Sequence, residues 1–357
     1  MRLLFVSGYA DLVGGGQRSL LVLLQRLDRD AFSPAVACPA EGEVARRARS
    51  LGAEVVLLDT GDCIDGVSAV RHAPRVRRTV ARLAPHLVHC DTLYTALSCG
   101  LALAGTRIPV IFHARTSERA VLLDRVVPAV CARVVCVSQA AARRFRPRWA
   151  SRVRVVLNGV DVTQFRPGLD GRSLRGRLGI PAQAFVIGYC GQLLRQKGLD
   201  HLLGAFARLR EKDGSLALFL AGSGPDEAAL RQAAGPRAFF HAFADSLPDF
   251  YAALDVFVLP TLLEEGLSRA LLEAMACGLP CVATALGGNP EALGDGTAGV
   301  LVPAGDGDAL ARLLGELRRD PGRRRGLGRA ARARALECFD AAATTRKMEA
   351  VYREVLA

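Results

Sequence analysis

Short apolar runs rich in β-branched residues alternate with longer stretches of helical period along most of the chain, and this alternation limits the fold more than any other feature. In the first half the short runs are residues 3–7, 35–38, 54–58, 87–90, 110–113, 134–137 and 153–157, separated by helical patterns that include 17–27, 43–51, 121–132 and 140–145. Repeated β-α alternation predicts a parallel sheet covered by helices on both faces. Residues 158–181, with Asp161, Pro167, Gly168, Asp170, Gly171 and Gly179, interrupt the pattern and read as a linker. Alternation then resumes at 186–189, 217–220, 239–241, 256–259, 281–283 and 300–302, with helices such as 199–209 and 269–276 between them. From Asp308 on, three helical segments run to Leu356.

A chain of 357 residues is long enough for two such units. The expected division is an N-terminal Rossmann-like domain over 1–165, a second over 166–340, and a last helix, 341–357, packing back on the first. Two doubly wound α/β domains facing across a cleft would bind ligand at the carboxyl ends of their strands.

Composition then narrows the surroundings. The ten cysteines (38, 63, 90, 99, 131, 136, 190, 277, 281, 338) form no CxxC pair, and most sit in apolar runs, as reduced core thiols of a cytoplasmic protein do. The start reads as a first strand, too short for the apolar core of a secretory signal, and no apolar run is long enough to span a bilayer. Residues 1–165 hold 23 Arg against 13 acids, whereas 166–357 hold 24 basic residues against 22, so an anionic partner is expected on the first half. Arg71, Arg75, Arg78 and Arg82 would form a basic stripe on a helix over 69–83, a solvated face or a peripheral contact with an anionic membrane; Pro74 would shorten that helix. With aromatics at 6% and no reading motif, nucleic acid is not expected as a partner.

The most informative segment runs from Leu259 to Pro280. A strand ends near Pro260, a loop carries Glu264, Glu265 and Gly266, and a helix is predicted from about Leu267 to Gly278. Backbone N–H groups of Gly266, Leu267 and Ser268 would then face a phosphate at the helix N-terminus. Glu273, about two turns further on, shares a face with Glu265 and could accept hydrogen bonds from two ribose hydroxyls.

Glu265-Gly266-Leu267-Ser268 followed by Leu272-Glu273-Ala274-Met275-Ala276-Cys277-Gly278-Leu279-Pro280 closely resembles the donor-site signature of the family-4 retaining glycosyltransferases, which have the two-domain GT-B fold. Gly191-Gln192-Leu193-Leu194-Arg195-Gln196-Lys197-Gly198 resembles that family's phosphate clamp, in which an Arg directly after the Gly and a Lys six residues after the Gly neutralise the donor diphosphate. Lys197 fits the second position; Gln192, a neutral donor, stands in the first, with Arg195 three residues away. Gly222-Ser223-Gly224 resembles the family's next Gly-rich turn, and Gly287-Gly288-Asn289-Pro290-Glu291 the loop beside the sugar. Gly14-Gly15-Gly16 opens the first helix, and the resemblance makes Gly16 a contact of donor phosphates and acceptor. His113, at the end of its strand, resembles the active-site His that hydrogen-bonds the donor sugar, and Asn158-Gly159-Val160-Asp161 with Phe165 resembles the segment leading into the interdomain linker.

The resemblance thus implies a nucleotide-sugar-dependent, retaining hexosyltransferase acting on a glycan, glycolipid or small-molecule acceptor. His113, Lys197 and Glu265 would be catalytic. Gly16, Gly191, Gln192, Arg195, Gly222, Gly266, Leu267, Ser268 and Glu273 would help Lys197 and Glu265 to hold the donor. No DxD pair suited to a catalytic metal is present, so no cofactor or metal is expected. A nicotinamide dehydrogenase would need G-x-G-x-x-G after the first strand and an acid closing the second, which reads Val36-Ala37-Cys38-Pro39-Ala40. The alternative that stays open is a sugar-nucleotide-binding protein with lost or weak catalysis.

Overall fold

The computed structural model describes residues 1–58, 66–242 and 247–357, arranged as two compact units. Met1–Gly159 with Ala341–Ala357 make one, and Val160–Asp340 the other.

The first unit is built on β1 (Arg2–Val6), β2 (Ser33–Cys38), β3 (Glu54–Leu57), β4 (Leu87–Cys90), β5 (Val110–Ala114), β6 (Arg133–Cys136) and β7 (Val153–Val155). Their spatial order is β3-β2-β1-β4-β5-β6-β7, every neighbouring pair parallel. In β1, for example, Leu3 sits opposite Pro34 of β2 and Leu87 of β4. Central strands are buried on both faces, which is why Leu3 to Val6 read as one continuous apolar run instead of alternating. The helix Ala341–Leu356 belongs to this unit: Met348, Val351 and Tyr352 enter the core formed by Leu3, Phe5, Leu20, Leu24 and Phe32. Each such side chain contributes about 1.5–3 kcal/mol when taken from water.

The second unit carries β8 (Phe185–Cys190), β9 (Leu216–Ala221), β10 (Ala238–His241), β11 (Val256–Leu259), β12 (Cys281–Thr284) and β13 (Val300–Val302). The order is β10-β9-β8-β11-β12-β13, again wholly parallel. Sequence order therefore reverses between β1 and β4 in one sheet and between β8 and β11 in the other, the two places where a doubly wound sheet opens a crevice at its strand ends.

Some local expectations change. The helix Gly66–Leu83 passes through Pro74 instead of stopping there, with Pro74 on its exposed side. Arg71, Arg75, Arg78 and Arg82 are exposed on it while Val76, Val80 and Leu83 are buried. Of the cysteines, Cys63 lies outside the described residues; none of the nine others is in a disulfide, and Cys277 and Cys338 alone of these are not fully buried. No helix among the described residues is long and apolar enough to cross a membrane.

Candidate functional site

In the second unit, four loops at the carboxyl ends of β8, β9, β11 and β12 are locked together by contacts that leave no room for a side chain at several glycines. After β8, a Cβ on Gly191 would lie 2.5 Å from the Tyr189 hydroxyl, which donates back to the Gln192 carbonyl at 2.8 Å. The Gly-rich turn after β9 braces this loop: Leu193 N–H donates to the Ser223 carbonyl, Arg195 N–H to the Asp226 carboxylate, and a Cβ on Gly224 would meet the Leu193 carbonyl at 2.4 Å. Gly222 itself has φ +152° and donates to the His241 carbonyl at 2.8 Å. At Gly198, φ is +71° and a Cβ would sit 1.9 Å from the Pro260 carbonyl oxygen, so glycine lets the β8 loop rest directly on the end of β11.

That close approach brings Lys197 to Glu265. Lys197 Nζ donates to Glu265 Oε1 at 2.8 Å, with the two side chains 15% and 22% exposed, across the crevice between β8 and β11. The Glu265 loop is clamped from behind by the turn after β12: Gly288 N–H donates to the Glu265 carbonyl at 2.9 Å, and a Cβ on Gly288 would fall 1.8 Å from the Gly266 carbonyl oxygen. Buried Thr284 donates to the Thr261 carbonyl at 2.7 Å and buried Asn289 to the Thr284 carbonyl at 3.0 Å, so the loop has a rigid base.

Several of the expected residues stand differently from their sequence reading. The helix begins at Arg269 and not at Leu267, because Ser268 is extended (φ −70°, ψ 120°). Gly266 and Leu267 therefore belong to the loop before the helix, and Ser268 stands at its N-cap position without a side-chain cap bond; all three are buried. Glu273 is also buried, with its carboxylate taking the Tyr251 hydroxyl at 2.8 Å and pairing with Arg269 at 3.0 Å, so two protein donors already fill the positions expected for ribose hydroxyls. Arg195 points along its own turn to Asp200, 3.1 Å away in an exposed pair, and Gln192 is exposed.

In the first unit, the crevice between β1 and β4 is closed by Asp91, which accepts from the Ser7 hydroxyl at 3.0 Å and the Gly8 N–H at 2.9 Å. Burial pushes the Asp91 carboxyl up, against the opposing pull of the Arg115 charge and these two donors. Gly16 lies one residue inside the helix Gly15–Arg26, where an added Cβ would come within 3.2 Å of the Arg115 side chain. His113, on β5, is 5% exposed and lines a pocket of about 30 Å³, the room of roughly one water, with Ser19, Arg115, Asn158, Gly159 and Met348. Its Nδ1 lies 3.1 Å from Nε2 of buried His89, whose Nδ1 lies 2.8 Å from the Tyr352 hydroxyl. Arg115, His89 and Tyr352 were not picked out by sequence reasoning. Strand alternation could have found Arg115, two residues beyond His113; nothing local marks His89 or Tyr352, the latter on a helix 263 residues away from its partner.

Burial drives the His89 imidazole down to about 3 and His113 well below the usual histidine range, with the Arg115 charge adding to both. Folding therefore favours the neutral rings. Stability from this source is complete above the ordinary histidine pKa near 6.5 and is lost as pH falls from there toward 3, because the unfolded chain then binds protons that the folded one refuses. We expect His89 alone to cost about 1.4 kcal/mol per pH unit below 6.5. Urea midpoints at pH 7 and pH 5 test this: a His89→Gln variant should lose less stability than the parent between the two.

Residues 13–164 match the model for "Glycosyltransferase Family 4" and residues 184–320 that for "Glycosyl transferases group 1". The alpha-maltose-1-phosphate synthase of Mycolicibacterium smegmatis is 30% identical over 311 residues, 76% of this chain and 79% of that one. The D-inositol 3-phosphate glycosyltransferase of Salinispora arenicola is 35% identical over 228 residues, 58% of this chain; the match spans about half, 50%, of that relative's length. Among solved structures, Anabaena Alr3699/HepE in complex with UDP-glucose superposes with a TM-score of 0.86 at 22% identity, covering 99% of this chain and 100% of the other, a likeness of fold.

Proposed function

The chain belongs to the family-4, group 1 glycosyltransferases of GT-B fold, and from that premise we propose that it moves a hexose-type sugar from a nucleoside-diphosphate sugar to an acceptor hydroxyl, with retention of configuration and without a metal ion. The observation that carries the reading is the Lys197–Glu265 contact at the β8/β11 crevice: a cation and a hydroxyl-binding carboxylate held 2.8 Å apart where a doubly wound sheet binds its ligand. As the glycosidic bond to the diphosphate breaks, negative charge grows on the leaving phosphate. Lys197 and the loop amides of Gly266 and Leu267 would stabilise that charge in the transition state. The acceptor oxygen bonds to the anomeric carbon on the face the diphosphate leaves, and its proton passes to the departing phosphate. Glu265 would hold sugar hydroxyls, His113 would hydrogen-bond the donor sugar, and Glu273 would contact the ribose by rotating away from Arg269.

The basic first unit and two relatives named for a phosphorylated acceptor or product favour a phosphate-bearing acceptor, whether a glycolipid headgroup, a glycan or a small molecule. A cytoplasmic location, with the Arg71–Arg82 stripe against an anionic membrane face, belongs to the same proposal.

A panel of UDP- and GDP-sugars read by thermal shift is the direct test. The matching donor at 100 times its dissociation constant should add about 2.7 kcal/mol to stability. No shift with any nucleotide-sugar would sink the reading. Gln192, where the resemblance leads one to expect Arg, favours a second reading, a sugar-nucleotide binder of weak catalysis; a shift without transfer to any phosphorylated acceptor would support that one instead.

A further inference from the structure

We propose that His89 and Tyr352 are positioning residues that fix the tautomer of His113, so that His113 presents Nε2–H to its pocket as a hydrogen-bond donor and cannot act there as a base. The three side chains form one buried chain, Tyr352 Oη to His89 Nδ1 at 2.8 Å and His89 Nε2 to His113 Nδ1 at 3.1 Å, and His113 Nε2 is buried with no protein partner. His89 is 1% exposed, His113 5% and Tyr352 fully enclosed.

Neutral imidazole carries one proton, so the chain has two self-consistent arrangements, with all protons directed toward His113 or all toward Tyr352. Burial keeps both rings neutral and holds the phenol's proton on its oxygen. The phenol decides between them. Were His89 Nδ1–H to donate to Tyr352, the phenol's own proton would be buried without an acceptor, since His89 is the hydrogen-bond partner recorded for that hydroxyl. When Tyr352 donates instead, an oxygen lone pair goes unused and the one donor left over is His113 Nε2–H, which faces a pocket with room for a water to accept it, the cheaper omission in a buried network. His89 Nδ1 is then the acceptor, His89 Nε2–H donates to His113 Nδ1, and the proton of His113 lies on Nε2.

The helix Ala341–Leu356, last in sequence and part of the first unit, thereby sets the hydrogen-bonding sense of a residue on β5. The catalytic consequence rests on the proposed transferase reading; the tautomer does not. A bound sugar oxygen would receive a hydrogen bond from His113, which agrees with the acceptor's proton leaving on the phosphate.

The test is ¹⁵N–¹H spectroscopy of the histidine rings in the uniformly labelled full chain, with His113 assigned by its loss in His113→Ala. The expected result is a protonated Nε2 and a bare Nδ1 for both His113 and His89. Tyr352→Phe, which removes one hydroxyl without changing shape, should mix or reverse the two tautomers and lower kcat about tenfold with KM unchanged. Protonated Nδ1 on His113 in the parent overturns the proposal, as does a Tyr352→Phe protein whose spectrum and kcat match the parent's. Expected spectra together with parental turnover in His113→Ala would instead overturn the role given to His113 in transfer, and with it the catalytic half of the inference.

Discussion

Lys197→Ala is expected to lower kcat for sugar transfer by about 10²–10³, the usual cost of removing one donor from a preorganised site for developing negative charge. The charge on the leaving diphosphate is larger in the transition state than in the bound donor, so the loss should fall more on kcat than on KM. The structure adds a second consequence. Lys197 is held by Glu265 across the crevice, so the alanine variant leaves a half-buried carboxylate without this counter-ion, close to where the proposed donor phosphates would bind. Donor affinity should therefore also weaken, and Lys197→Ala with Glu265→Gln should bind donor better than Lys197→Ala alone. Steady-state kinetics with the donor found by thermal shift would decide; turnover like the parent's in Lys197→Ala would remove Lys197 from the phosphate.

Gly198→Ala should be the most damaging single methyl group in the second unit. It combines a left-handed backbone, costly for any residue with a Cβ, with a contact of 1.9 Å to the Pro260 carbonyl, backbone that cannot swing aside as a flexible side chain can. Relief requires separating the β8 loop from the end of β11, where Leu262 N–H also donates to the Gln196 carbonyl at 3.1 Å. We expect a loss of about 3 kcal/mol or more from the strain and the broken packing. Transfer should fall further than stability alone explains, because Lys197 and Glu265 no longer meet. Gly176→Ala, inside the helix Arg172–Leu178 with nothing within 4 Å of the added carbon, is the control and should be neutral or stabilising by about 0.5–1 kcal/mol. Equal denaturation midpoints for the two variants would mean that the glycine contact at Pro260 matters far less than its geometry indicates.

Much of this architecture could be read from residue types alone. The strand pattern is legible because a parallel strand covered on both faces must be apolar along its length, as in Phe185–Cys190 and Leu216–Ala221. The helix Arg269–Ala276 is legible at its far end, where Gly278 at φ +74° and Pro280 stop it, and less so at its start, because the turn at Gly288 holds Glu265 and Gly266 in the loop before Ser268, a contact that no local pattern encodes. Lys197 and Glu265 could be singled out by motif, but their contact bridges 68 positions and depends on a glycine fit at Gly198 that no local pattern encodes.

Glu273 marks the same limit from the other side. Helical periodicity counted from Glu265 predicts a shared face, but the helix begins only at Arg269, and the Glu273 carboxylate is spoken for by Tyr251, from another element, and by Arg269 one turn before it. By itself, then, the sequence determined the α/β class, the two parallel sheets and the loops at their strand ends, since those follow from short-range rules of period, capping and backbone freedom. Only the tertiary structure decided which partner each charged or titratable group meets: Lys197 with Glu265, Glu273 with Tyr251, His113 with His89 and, through it, Tyr352. The reason is physical. A buried polar group must be satisfied by whatever the fold brings within about 3 Å, and distance along the chain says nothing of which group that will be.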